Sequence, residues 1–406
     1  MRKKERKKER KNRFLTTTVV IASCLMFLLP YSCQDKQEYI LQNEPLAENN
    51  DFTVSENVAT FVANSFAKKF KANDGNSLKS KKLKSLTKFK DENGEELIYI
   101  INYEEGGFLL LSADQRVAPI LAFSETNSFT TEETDLPGAV NFWVQATKEE
   151  IKRVRKENKE QSKEVKFLWK RYLSASNLKY IPPGDEGGED PPPCDDVFVW
   201  INPLLQTEWH QGCGFNSYLG VCIDPDRCNK MPVGCVAVAM AQIMKYHEHP
   251  SSYSWSNMPH DIGNTVTAQL MYDLGHPDAL HMDYTCTSST VPTSTIVPTF
   301  ENVFNYSTSA THANYNQVTV KNEIDYNRPV ILAGTDNTKN PPEAHAWVCD
   351  AYASAYYCET GISTLHFHMN WGLEDGDANG YYAYNNFNPG DYAFNSSRIM
   401  VTGIKP

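Results

Sequence analysis

The sequence predicts an α+β protein. A helix-period run sits near the middle of the 406-residue chain, strand-like runs crowd toward its C-terminus, and strands and helices do not alternate as a parallel sheet would require. A smaller helix–strand–helix set occupies the N-terminal half. The chain is long enough for two domains, and 21 Tyr, 19 Phe and 7 Trp supply large apolar side chains for their cores.

In chain order, residues 1–33 read as an export signal. Nine Lys/Arg against Glu5 and Glu9 precede an apolar stretch, Phe14–Leu29, and then Pro30-Tyr-Ser-Cys33. A small residue before Cys33 and polarity after it resemble a bacterial lipoprotein cleavage site, so Cys33 is the expected lipidation site and the lipid the expected contact with a membrane. The net charge is −11 overall, and the residues beyond this basic segment stand at −18. That excess argues against nucleic acid as a partner. Residues 34–50 read as a tether.

Residues 51–180 form the first expected domain. Val54, Val58, Phe61, Val62 and Phe66 lie at helical spacing. The Lys-rich stretch Lys71–Lys90 reads as an exposed loop. Strands are expected at Glu96–Tyr103, Gly107–Ser112 and Ala118–Ser124, with Glu104–Gly107 as a hairpin turn, and one charged helix over Phe142–Tyr172. Residues 181–193, with five Pro, three Gly and four acids, read as an extended linker open to proteolysis. The second domain, 194–406, opens with loops and a helix and ends in strands at Pro329–Leu332, His345–Tyr352, Thr364–Asn370 and Tyr381–Tyr384.

Pro232 and Gly234 stop any element before Cys235, and no Gly, Pro or Asn interrupts the twelve residues after it. Val236, Ala239, Met240, Ile243 and Met244 mark a helix buried on one side, with Ala237, Ala239 and Ala241 allowing a close neighbour. Cys235 then lies at the helix N-terminus, where free N–H groups and the helix dipole favour a thiolate, behind a glycine expected to leave room for substrate. His345 on a strand is the candidate base, Gln211 and the Cys235 N–H the candidate oxyanion donors, Asn370 an amide acceptor and Trp371 an aromatic shield. Eight cysteines follow Cys33, and setting Cys235 aside leaves seven, an odd number for pairing within the chain, with a connectivity that is not readable. Cys213, Cys222 and Cys228 lack zinc-site spacing, and Asp375–Gly380 matches only the first half of a calcium loop, with Asn386 where Glu is needed, so no metal is expected. His366 and His368 share a strand face, and His247 closes the helix as a cation suited to its dipole. No phosphate-cradling or nucleotide motif occurs, and no cofactor is expected.

Several segments in order resemble the streptopain family of bacterial cysteine proteases, within the papain superfamily. They are Gly234–His247, Gln211–Asn216, Ala344–Asp350, Asn370–Gly372, Phe387–Pro389 and Val401–Pro406, with Tyr99–Ser128 similar to the inhibitory propeptide. The resemblance implies a papain-like two-lobed protease domain behind a smaller α+β pro-domain that inhibits it. It implies an exported zymogen acting on protein or peptide substrates through Cys235, His345 and Gln211, with Asn370 and Trp371 supporting the histidine. Gly234, Ala344 and Thr290 would line the cleft. A murein hydrolase and an inactive surface adhesin on the same scaffold are the rival readings.

Overall fold

The computed structural model describes residues 52–67, 81–136, 138–173, 195–336, 343–358, 360–376, 378–383 and 398–406. The signal segment with Cys33, the tether and the linker lie outside them. In order the elements are α1 (Glu56–Ala67), β1 (Leu83–Lys90), β2 (Glu96–Tyr103), β3 (Phe108–Ser112), β4 (Ile120–Ser124), α2 (Gly138–Lys156), α3 (Lys163–Leu173) and β5 (Val197–Trp200). They continue as α4 (Cys235–His247), α5 (Thr265–Gly275), β6 (Asp283–Tyr284), β7 (Ser289–Thr290), α6 (Ile296–Asn302), β8 (Thr311–Asn314) and α7 (Gln317–Asp325). The chain ends with β9 (Val330–Asp336), β10 (Glu343–Tyr357), β11 (Ile362–Asn370), β12 (Gly380–Tyr382) and β13 (Ile399–Thr402).

One antiparallel sheet runs through both halves in the order β1-β2-β3-β4-β12-β11-β10-β9-β13-β8, with β5 on the far half of β10. The seam between N- and C-terminal parts is the β4–β12 pairing, Phe123 opposite Tyr381 and Ala122 opposite Tyr382. The core is shared across it: Phe108, Phe129 and Trp143 pack with Trp371, Met369 and Tyr382. Phe123 stacks on Tyr381 at 5.2 Å and meets Trp200, His366 and Phe66 between 5.2 and 5.5 Å. The expected linker thus separates two stretches of sequence that share one sheet and one core.

Several expectations need correction. Part of the Lys-rich stretch forms β1, a mostly half-buried strand with Lys84 and Lys90 exposed, which suits a sheet edge. Lysines on that edge discourage pairing with another chain. The single helix over Phe142–Tyr172 is two helices, α2 and α3, broken after Lys156, where Asn158 takes a left-handed φ of 46°. The helix at Cys235 is not one-sided: Val236 through Lys245 are all buried, because β10 packs on one face and α5 with its loops covers the other. His247 is no cation. Burial, with His249 adding to it, lowers its pKa to about 4, so Lys245 supplies the positive charge in the last turn, donating to the Trp255 carbonyl at 2.7 Å.

The side chain at the seam gives a test. Phe123→Ala is expected to cost about 3 kcal/mol in urea unfolding. An unchanged midpoint would mean that the seam contributes little to the joined fold.

Candidate active site

The site is built where the N-terminus of α4 meets the start of β10. Gly234 caps the helix with φ 97°, a conformation that favours glycine, and its carbonyl accepts the first helical bond from Val238. A Cβ there would lie 3.0 Å from Met282 Cε and 3.1 Å from the Ser289 carbonyl. The expectation that Gly234 leaves space for substrate therefore needs correction: protein fills that space, and the glycine serves the backbone turn.

Cys235 is partly buried and free of disulfide. Its sulfur accepts the Ala346 N–H at 3.4 Å and is hydrogen-bonded to the His345 side chain. Burial pushes the thiol up. The His345 charge and hydrogen bond, with the Ala346 and Val236 N–H groups, more than offset this and hold Cys235 below the ordinary thiol range. The other free cysteine among the described residues, Cys349, has burial as its main influence, lies on β10 inside the core, and is pushed well up, so it stays an inert thiol.

His345 Nε2 lies 3.2 Å from the Trp371 main-chain carbonyl, an acceptor for an N–H on that nitrogen. Asn370, expected as the amide acceptor beside the histidine, is committed elsewhere. Its Oδ1 accepts from Gln242 Nε2 at 3.1 Å and from the Gly372 N–H at 3.3 Å, while its Nδ2 donates to the Thr207 carbonyl at 2.7 Å. Its side chain locks the β11 end to α4. The shield is also shared: Trp347, two residues along the strand from His345, lies near-parallel to the imidazole at 6.3 Å, and Trp371 packs behind it at 5.0 Å. Trp347 was legible in the two-residue spacing from His345. Gln242, a lone amide in an apolar helix, was a weaker signal.

The turn at Glu374–Gly380 holds Trp371. Asn379 Oδ1 accepts the Trp371 N–H at 2.8 Å, and the Ala378 carbonyl accepts its indole N–H at 3.1 Å. Asn379 is thus occupied as a bracket. The N-terminal half grips the same turn: Asn127 Nδ2 donates to the Gly376 carbonyl at 2.6 Å, and Ala378 N–H to the Ser128 carbonyl at 3.3 Å.

Gln211 closes the opposite side. Its Oε1 accepts the Gly234 N–H at 3.1 Å and its main-chain carbonyl the Val233 N–H at 3.0 Å, which leaves Nε2 as the donor end of the amide. Thr290 and Ala344 are exposed, Thr290 on the β6–β7 ribbon beside Gly234 and Ala344 directly before His345. Cys213 is bonded to Cys228 and Cys222 to Cys286, so these sulfurs are crosslinks and not zinc ligands. His368 pairs with Asp350 at 2.6 Å, and His366 contacts the Ile120 carbonyl, with burial lowering its pKa to about 4. Both histidines have structural partners.

The peptidase C10 family model matches residues 209–253 and 251–382, and the Spi protease inhibitor model matches residues 52–151. Streptopain of Streptococcus pyogenes is 23% identical over 432 aligned positions, covering 91% of this chain and 96% of streptopain. The thiol protease/hemagglutinin PrtT of Porphyromonas gingivalis is 23% identical over 365, covering 78% of this chain and 38% of PrtT, so the chain spans well under half of that relative. A prointerpain A fragment of Prevotella intermedia shares the fold, with a TM-score of 0.54, 22% identity, and coverage of 79% of this chain and 99% of that one. With a match to a protease inhibitor model ahead of a match to a peptidase model on one chain, the protein is similar to the peptidase C10 family of cysteine proteases and has the layout of a cysteine-protease zymogen.

Proposed function

We propose that Cys235 is the nucleophile of this cysteine endopeptidase, His345 its acid–base partner, and Gln211 with the Cys235 N–H its oxyanion donors. The contact between the Cys235 sulfur and both the His345 side chain and the Ala346 N–H carries the reading. The thiolate attacks the scissile carbonyl carbon of a protein substrate. The oxygen that becomes negative is met by the helix N-terminus and Gln211 Nε2. The imidazolium gives its proton to the departing amine, leaving an acyl-enzyme. A water that loses its proton to His345 then hydrolyses the thioester and restores the thiol. The Trp371 carbonyl orients the ring, and Asn370 acts through the strand end it anchors. Thr290 and Ala344 flank the substrate.

Residues 52–151 and the protein they inhibit form one chain, and the Asn127–Gly376 contact supports the reading that the pro-domain acts on the turn holding Trp371. The basic–apolar leader supports export, and Cys33 supports a lipid anchor on the cell envelope. Mass spectrometry of the mature N-terminus checks the latter, since an unmodified Cys33 or a cut elsewhere rejects it.

Cys235→Ala is expected to abolish both peptide hydrolysis and self-processing, and retained hydrolysis would refute the assignment. Because His345 holds the thiol low, His345→Ala should move the pH profile of Cys235 alkylation to higher pH and leave the thiolate scarce at neutral pH. A profile that does not move would remove His345 from the pair. Gln211→Ala should lower kcat by about 10²-fold with KM little changed.

A further inference from the structure

Both expected oxyanion donors belong to the ends of one loop. Gln211 opens it, Gly234 and Cys235 close it, and the Gln211–Val233 and Gln211–Gly234 hydrogen bonds tie its base. Inside the loop, Cys213, two residues past Gln211, is bonded to Cys228. From its middle, Cys222 is bonded to Cys286, between the two strands of the β6–β7 ribbon. That ribbon seats Ser289 against the loop, its hydroxyl donating to the Pro232 carbonyl at 2.6 Å, and carries Thr290 one residue on. Arg227 Nη1 adds bonds to the Cys286 and Thr287 carbonyls at 3.3 and 3.4 Å. Helices and strands are nearly absent from this loop: a single 3-10 turn at Pro225–Arg227 and one bridge between Val221 and Lys230 are its regular structure. Besides the crosslinks, turn and side-chain hydrogen bonds hold it, among them Asn216 Nδ2 to the Arg227 and Met231 carbonyls at 3.0 and 3.3 Å.

We propose that the two disulfides are positioning elements of the catalytic site, and that thiol reductants act on the enzyme in two opposed directions. Cys213–Cys228 holds Gln211 in register with the Cys235 N–H, and Cys222–Cys286 holds the Thr290 wall against the cleft. Reductant keeps Cys235 a thiol, which the chemistry needs. The same reductant at higher concentration opens the crosslinks, which the oxyanion site needs closed. Cys228 and Cys286 are the exposed members of their pairs, so attack begins there. The thiolate of a small thiol forms a mixed disulfide with the exposed sulfur as the protein S–S bond breaks and the partner sulfur leaves as thiolate. A second thiol releases the first as a small-molecule disulfide. Two electrons pass from the reductant to each protein bridge, and the two cysteine sulfurs end protonated. The proposal rests on Cys235 as nucleophile and Gln211 as oxyanion donor.

The test is a dithiothreitol titration of the product to which the full-length chain processes itself, with thiols at each cysteine counted by alkylation and peptide mass spectrometry. After rapid desalting, kcat and KM are measured per alkylatable Cys235, beside the rate of Cys235 alkylation by iodoacetamide. Alkylation needs the thiolate and no oxyanion site, so it separates loss of positioning from loss of the fold. As the bridges open, kcat should fall about tenfold or more while Cys235 alkylation stays within about twofold. Without reductant, Cys213→Ser/Cys228→Ser should show the lowered kcat, and Cys222→Ser/Cys286→Ser a raised KM. Open bridges with unchanged kcat and KM overturn the proposal, as does a parallel fall of kcat and alkylation. If the serine variants fail to fold, titration of the unaltered protein decides alone. A Cys235 that resists alkylation after mild reduction that leaves both bridges closed rejects the nucleophile reading instead, and so is told apart.

Discussion

The site rests on one fixed approach: the first turn of α4 against the opening residues of β10. The Ala346 N–H reaches the Cys235 sulfur, and the neighbouring His345 ring reaches it from the same strand. Such an approach needs a helix that cannot slide or roll. Burial of every residue from Val236 to Lys245 meets that need, and alanines at 237, 239 and 241 keep the layers close. The same burial opposes the chemistry, since desolvation disfavours a thiolate. The imidazole charge and two main-chain donors outweigh it, whereas Cys349, buried beside the Asp350 charge with the Ala351 N–H as a main-chain donor and no imidazole, goes the other way.

The zymogen's two parts are joined as one sheet, so the inhibitor domain is part of the framework behind the catalytic strands. Its reach toward the site is indirect. Asn127 and Ser128 hold the turn around Gly376 and Ala378, that turn holds Trp371, and the Trp371 carbonyl faces His345. With the inhibitor domain seated, His345 remains in contact with the Cys235 sulfur. Withdrawal of the histidine is therefore not a feature of this structure, and the contacts between the inhibitor domain and the Trp371 turn are hydrogen bonds from Asn127 and to Ser128.

Where the sequence reading failed, the failures have a common origin. Lys84, Lys88 and Lys90 made a strand look like a loop, because lysine density reports exposure and an edge strand is exposed. His247 looked like a dipole-pairing cation because helix position was legible and burial was not. Asn370 looked like the orienting amide. Its side-chain atoms were instead taken by Gln242 and by the Thr207 carbonyl, on residues 128 and 163 positions away in the chain.

What the chain carried in plain view was local. Glycine ahead of cysteine, an uninterrupted helical period, alternating strands, a basic–apolar leader and a proline-rich break each depend on residues within a turn or two of one another. Those features suffice to single out Cys235 and His345 as candidates and to give the α+β class. The tertiary structure alone decided which acceptor meets the imidazole, which sulfurs pair, and that one sheet crosses the linker. These outcomes depend on atoms brought together from distant segments, where the competition for each buried donor and acceptor is settled by packing and not by neighbours in sequence.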